Sequence, residues 1–448
     1  QSAREDAMDV LLPLLTIIVA HCLIAMINDV HEPASCCSPC WNFRPTALLD
    51  DGSYRDATPS VLMDKYLRDG ERAAAAAAAA AAIDATAATA ATHATADDDA
   101  AASVLASVGP PTQPADSIRI CQWNIHYLSA PWLTSRTTCS TGTNSTTATC
   151  TRTSPSDPLH YLHHADQVAQ SILDTNSDVV VLNEFGTAGR NPKYGSDRLL
   201  EHLCRRLEGD GQYTIYDLAI SSYPTAVAVR SHFTVVSSEG IRLDSHHRSA
   251  VRVSIDPRSL ANIASRGGGG GDKTAATTAT TSPPLLLHIY GTHLDHSCGQ
   301  QRYQEAKNLI RKIKQFMTQE RRSTDPVLIV GDFNQQRACD YTPDEWRIIG
   351  RNLERREAPR TDGVSDLLQS EGFRCCYDTE RERGRRGNNA AVVRTNWREG
   401  DPPPSTHWSS TVIDYAYGRN IDVVGIYVLP RNLSDHRMVI TDWRIPSS

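Results

Sequence analysis

Six short motifs place the reactive side chains of this 448-residue sequence. Asn124 follows Trp123, Glu184 follows Asn183, and His293 lies in Gly291-Thr292-His293-Leu294. Asp332 and Asn334 share Gly331-Asp332-Phe333-Asn334, Asp414 sits in Ile413-Asp414-Tyr415, and Asp435 and His436 lie side by side after Ser434. Carboxylates and amides are oxygen ligands of the kind that hold Mg²⁺, and imidazoles move protons near neutral pH. Hydrolysis of a phosphate ester needs an aligned water, neutralised phosphoryl oxygens and help for the leaving oxygen. These residue types can supply all three if the chain brings them together.

The elements between the motifs explain how they would meet. Apolar runs at 118–125, 179–182, 226–229, 250–255, 285–290, 327–330, 412–417 and 438–443 read as strands. The Asn124, Glu184, His293 and Asp332 motifs each fall where such a run ends, Asp414 lies inside one, and Asp435-His436 precedes one. Leu159, Leu162, Ala165, Val168, Ala169, Ile172 and Leu173 form a helical stripe, as do Ala306, Leu309, Ile310, Ile313, Phe316 and Met317. Strands alternating with amphipathic helices make an α/β architecture, in which polar groups at strand ends line one crevice. Three insertions interrupt the pattern: a Thr/Ser-rich stretch near 131–157, a Gly- and Thr/Ala-rich stretch near 256–284, and a basic, Gly- and Pro-rich stretch near 381–405. The strands flanking the second insertion are expected to pair as a hairpin.

Taken together and in this order, the motifs resemble the endonuclease/exonuclease/phosphatase (deoxyribonuclease I-like) superfamily, with GDFN and SDH as the most specific pieces. The resemblance runs over 117–445 apart from the insertions. It implies an α/β (α+β) fold, a four-layer α/β sandwich of two packed mixed sheets flanked by helices. It also implies a hydrolase of phosphodiester bonds that uses Mg²⁺, with Mn²⁺ as a substitute. Glu184, Asn124 and Asp435 would hold the metal. Asp332 and Asn334 would orient and activate the attacking water. His436 would stabilise the phosphoryl group or transfer a proton, with Asp414 setting its tautomer, and His293 would contact a phosphate oxygen or serve as the second acid-base group. Arg248 and Thr406 match positions that contact phosphate. Two departures stand out: Asn183 replaces the usual Gln before the metal-binding Glu, and Arg437-Met438 follows His436 in place of an apolar residue and proline.

The rest of the sequence bounds the substrate and the setting. The formal net charge of -7, from 45 basic and 52 acidic residues, argues against a generally basic nucleic-acid-coating protein. Basic residues cluster at Arg302, Lys307, Arg311, Lys312, Lys314, Arg321 and Arg322 and again in 381–398. They favour nucleic acid as the substrate, with a phospholipid, sphingomyelin or inositol phosphate as the alternative and a catalytically silent binding protein as a third reading. The apolar run 10–27 reads as a signal peptide or signal-anchor, within a first segment of 1–30, and would bring the chain into the secretory pathway, secreted or membrane-anchored. Residues 31–116, with their Ala/Thr-rich tract, read as a linker or stalk ahead of a catalytic domain over 117–448. Cys139 and Cys150 bracket a polar loop carrying the sequon at Asn144, an arrangement that suits a disulfide and a glycan. Cys121, inside an apolar strand, is expected to be a free core thiol.

Overall fold

The computed structural model describes residues 46–48 and 54–56 and, from 110 to 445, all but 115, 129–157, 187–196, 219–222, 245–247, 259–284, 355–359, 379–392, 398–400, 408 and 430–432. The expected apolar N-terminal segment 10–27, the Cys139–Cys150 pair and the Asn144 sequon lie outside these residues. Two units divide the chain at Phe43, and every described residue falls in the second, Arg44–Ser448. Among the described residues no helix is long and apolar enough to cross a membrane.

A short ladder pairs β1 (Thr46–Leu48) with β2 (Tyr54–Asp56). Then follow β3 (Ile118–Asn124), α1 (Pro158–Asp174), β4 (Val179–Asn183), α2 (Asp197–Glu208), β5 (Tyr213–Asp217), β6 (Thr225–Arg230), β7 (Thr234–Arg242) and β8 (Ser249–Asp256). The second half holds β9 (Leu287–His293), α3 (Gly299–Gln319), β10 (Val327–Asp332), α4 (Pro343–Glu354), α5 (Val364–Ser370), β11 (Arg374–Cys375), β12 (Arg394–Thr395), β13 (Asp414–Arg419), β14 (Asp422–Leu429) and β15 (Met438–Arg444). These strands build a seven-stranded sheet, β12-β14-β15-β3-β4-β6-β5, and a six-stranded sheet, β11-β13-β10-β9-β8-β7. Each sheet mixes parallel and antiparallel pairs: β3 runs parallel to β4 and β9 to β10, while β15 opposes β3 and β13 opposes β10.

The alternation along β4 shows why the layers form. Its side chains point to opposite faces in turn. Val179 and Val181 join the core between the sheets, with Val227, Val253, Ile289 and Leu328. Val180 and Leu182 join a second core with Val168, Ile172 and Leu203 from α1 and α2. A strand buried on both faces must be apolar throughout, and Val179–Leu182 is. On the far side, Leu309 and Ile313 of α3 and Leu368 of α5 pack against the six-stranded sheet. The result is the expected four-layer sandwich of two mixed sheets flanked by helices.

The strands around the second insertion pair antiparallel, from Ala250 opposite Thr292 to Ile255 opposite Leu287, as a hairpin requires. The third insertion departs from expectation: within it, Arg394 and Thr395 form β12 and pair parallel with β14. Cys121 is a buried thiol and forms no disulfide among the described residues.

Candidate active site

The ladder registers bring the motif residues into two rows. In the six-stranded sheet, Asp332 pairs with His293 on one side and with Asp414 on the other. In the seven-stranded sheet, Asn124 pairs with Asn183, and Asn183 with Thr225. Buried amides tie the rows together. Asn183 Oδ1 accepts from the Asp332 backbone N–H at 3.0 Å and from Gln122 Nε2 at 3.1 Å, and Asn183 Nδ2 donates to the Thr292 carbonyl at 2.8 Å. Gln122 Nε2 also donates to Asp414 Oδ1 at 2.7 Å. Gly331 has to be glycine: its φ is +155°, and a Cβ there would collide with the Thr292 carbonyl.

Around Asp332 the geometry separates the two histidines chemically. His436 Nε2 lies 3.7 Å from Asp332 Oδ2, and His293 Nε2 lies 3.5 Å from the same oxygen. Behind His436, Asp414 Oδ2 holds Nδ1 at 2.9 Å. Burial disfavours charge on His436, but Asp414, Asp332 and Asp435 outweigh it and raise the imidazole to about 10. Burial and then Arg248, His436 and His296 hold His293 far below the usual histidine range. Burial also pushes Asp332 up to about 7, against His436 and with the help of Asp414. The surroundings therefore favour charge on His436 and disfavour it on His293, with a buried carboxylate between them whose proton is held more tightly than usual.

On the opposite wall Asn124 Nδ2 donates to Asp332 Oδ2 at 3.1 Å and to Glu184 Oε1 at 3.3 Å. Burial raises Glu184 above the usual carboxylate range. Asp435 is likewise half-buried, but His126, with help from His407 and His436, holds it well below that range. Two half-buried carboxylates beside an amide are a donor set that fits a hard divalent cation. The Asn124 amide is turned so that its nitrogen faces the carboxylates and its oxygen accepts from the His126 N–H at 3.0 Å, so ligation through Asn124 requires the amide to turn. Glu184, Asn334 and His126 all have left-handed backbones, with φ of 53°, 50° and 45°. Non-glycine residues adopt this region at a cost, and they cluster where a site demands it.

The structure brings Asn124, Glu184, His293, Asp332, Asn334, Asp414, Asp435 and His436 to one end of the paired sheets. Asn334 donates its backbone N–H to Asp332 Oδ1 at 2.9 Å and its side-chain amide to the Leu294 carbonyl at 3.1 Å. Arg248 lies beside them. Its guanidinium sits 3.9 Å from the Tyr223 ring centroid, and Nη2 meets His296 Nδ1 at 3.1 Å. The Tyr223 and His293 rings stand 5.8 Å apart. Arg248 is buried with Nε and Nη1 unpartnered, donors that an anion would satisfy. Thr406, expected at the phosphate, is fully buried, and its Oγ1 accepts from the backbone N–H groups of Ile413 and Asp414 at 3.0 and 3.2 Å. It shapes the entry into β13 and so positions Asp414.

Sequence reasoning passed over Gln122, His126, Tyr223, His296 and His407. Gln122 had a signal, since it lies two residues before Asn124 on one strand and so shares its face. His126 lies two residues after Asn124, and its Nδ1 meets Asp435 Oδ2 at 3.0 Å.

Among solved structures the chain is similar to an endonuclease/exonuclease/phosphatase from Bacteroides vulgatus (16% identity, 74% of this chain and 99% of that one, TM-score 0.44). It is also similar to TDP2 from C. elegans (15%, 77% and 79%, TM-score 0.40) and to the human Nocturnin catalytic domain with bound sulfate anion (15%, 75% and 97%, TM-score 0.42). A search of curated proteins finds no match. A family model described as "Endonuclease/Exonuclease/phosphatase family" matches residues 121–436. That match spans well over half of the chain and includes all eight motif residues, so the chain belongs to the endonuclease/exonuclease/phosphatase family.

Proposed function

We propose that this chain is a divalent-metal-dependent phosphodiesterase acting on nucleic acid. The observation that carries the reading is the placement of His436 Nε2 and His293 Nε2 at 3.7 and 3.5 Å from one Asp332 oxygen. In the proposed reaction Asp332, whose carboxyl burial holds above the usual range, takes a proton from the attacking water. The water oxygen bonds to phosphorus as the bond to the leaving oxygen breaks. His436 gives its Nε2 proton to that oxygen, and Asp414 keeps the ring in the tautomer that allows it. Asn334 holds Asp332 in place through its backbone N–H. His293 contacts a phosphoryl oxygen, and the Arg248 fork binds another. Asn124, after its amide turns, Glu184 and Asp435 would hold Mg²⁺ or Mn²⁺, which when bound would neutralise phosphoryl charge and orient the ester.

Support for nucleic acid comes from the Arg248–Tyr223 pair, which sets a phosphate-binding fork against an aromatic face beside His293. The basic helix supports it less than its sequence implied. Arg302, Lys314 and Arg322 are paired with Asp362, Glu371 and Asp325, which leaves Lys307, Arg311, Lys312 and Arg321 as the cluster's exposed unpaired cations among the described residues. The apolar run 10–27 extends the proposal to entry into the secretory pathway.

The test offers plasmid DNA, single-stranded RNA, sphingomyelin and an inositol polyphosphate to the full chain with Mg²⁺, with and without chelator. Chelator-sensitive cleavage of DNA or RNA is the expected result. Preferential hydrolysis of the lipid or the inositol phosphate would overturn the substrate class, and no hydrolysis of any of them would overturn the enzymatic reading.

A further inference from the structure

Beneath α3, the outer face of the six-stranded sheet holds buried charge that the crevice does not use. Arg252 on β8 pairs with Tyr290 on β9, so the two side chains share a face. Phe316 of α3 lies over the Arg252 guanidinium at 3.6 Å and meets the His288 ring at 5.2 Å, which marks this face as the helix-covered one. Arg419 on β13 pairs with Val327, and Val327 with His288, so Arg419 joins the same face. His293 follows Tyr290 by three residues along β9 and therefore points the other way.

Arg252 and Tyr290 are buried, at 6% and 0% exposure. Arg252 Nε and Nη1, the Tyr290 hydroxyl and Arg419 Nε have no partner in hydrogen-bond geometry. Burial pushes the Tyr290 hydroxyl up, and Arg252 and Arg419 both oppose that shift, so both cations act on the same phenol. Carboxylates cover little of this charge. Glu239 Oε2 meets Arg252 Nη2 at 3.1 Å, but the Glu239 side chain is 57% exposed. Glu371, which acts on Arg419, is held by Lys314 at 2.6 Å. A buried water would satisfy the donors and leave the charge uncompensated, whereas an anion answers both needs. Phe316 and Phe373 cover the two guanidiniums with apolar rings, a setting that suits a small, weakly hydrated anion better than a polyvalent one.

From this we infer that Arg252, Tyr290 and Arg419 form an anion site on the outer face of the sheet, and that its ligand is chloride. The bound ion ties β8, β9 and β13 together beneath α3, and it takes no part in the proposed reaction.

The test crystallises the full chain in bromide, an anomalously scattering substitute for chloride. It also follows the unfolding temperature as sodium chloride replaces sodium gluconate at constant ionic strength. The expected results are a bromide peak among the three side chains and an unfolding temperature that rises with chloride. Tyr290→Phe removes one donor and should weaken chloride roughly 10-fold, so the same rise needs about ten times more chloride. Arg252→Met keeps a side chain under Phe316 and removes the guanidinium, so it should lose both the bromide peak and the chloride response. Tyr290→Phe provides an answer should Arg252→Met fail to fold. No bromide among the three residues, or an unchanged chloride response in Tyr290→Phe, overturns the site. Bromide that persists there in Arg252→Met would be an adventitious ion only and overturns it as well.

Discussion

Two of the buried histidine–aspartate pairs among the described residues behave in opposite ways. At the crevice, His436 Nδ1 meets Asp414 Oδ2 at 2.9 Å, and the ring is raised to about 10. On β9, five residues before His293, His288 Nε2 meets Asp325 Oδ2 at 3.2 Å, and the ring is lowered to about 4. Burial opposes charge on both. At His436 three carboxylates overcome it: Asp414, Asp332 and Asp435. At His288 the one carboxylate is shared with Arg322 and with the Leu286 backbone N–H, and Arg322 and Arg252 press the ring further down. Ser254 Oγ bonds His288 Nδ1 at 2.8 Å, which completes a Ser–His–Asp chain in outline. Ser254 and His288 are both fully buried, so no substrate reaches them. A short list of partner atoms does not make a catalytic group; access and the surrounding charges do.

The comparison can be broken most forcefully at the crevice. His436→Ala is expected to lower turnover by roughly 10²–10⁴-fold, the usual contribution of a positioned acid-base group, while thermal unfolding changes little. Steady-state kinetics paired with calorimetry checks this, and near-normal turnover would remove His436 from the reaction. Asp325→Asn should do the reverse. It leaves turnover alone and costs roughly 1–3 kcal/mol of stability, because the Arg322 and Leu286 donors lose a charged acceptor.

The third expectation concerns pH. His288 has a folded pKa below its unfolded value of 6.5, so the unfolded chain binds the proton more tightly. Its contribution is fully present above 6.5 and is lost as pH falls toward 4, at about 1.4 kcal/mol per pH unit and so about 3 kcal/mol over the window. His288→Asn should flatten the acid limb of a stability–pH curve between those limits, and an unchanged limb would contradict the assignment. Ser254→Ala is the smallest effect, about 1 kcal/mol of stability and no loss of turnover. A large loss of turnover in that variant would mean that the buried chain is catalytic after all.

The sequence shows much of this in advance, for identifiable reasons. Strands buried on both faces, such as β4 and β10, carry unbroken apolar runs and read directly. β7, with Ser237, Ser238 and Glu239 at a sheet edge, has one wet face and no such run. β5 is similarly half-exposed. β14 was not read as a strand: Gly425, with a register shift beside it, interrupts its apolar run. In the site, reactive residues within short dense motifs were found, while residues contributed by loops were not: Tyr223 and His407 are reached only through the fold. Asn183 looked like a minor substitution, yet it joins the two sheets, a role that depends on register and cannot be read from one strand. Thr406 shows the converse, a hydroxyl at the expected position that is used by the backbone.

The most direct test of the central claim strips the full chain of metal and follows bis-p-nitrophenyl phosphate hydrolysis as Mg²⁺ is restored, with Glu184→Ala alongside. Hydrolysis that returns with Mg²⁺ in the wild type and stays at background in the variant is the expected result. Equal hydrolysis by the two proteins, or hydrolysis that persists without metal, would contradict a metal-dependent phosphoesterase built on Glu184.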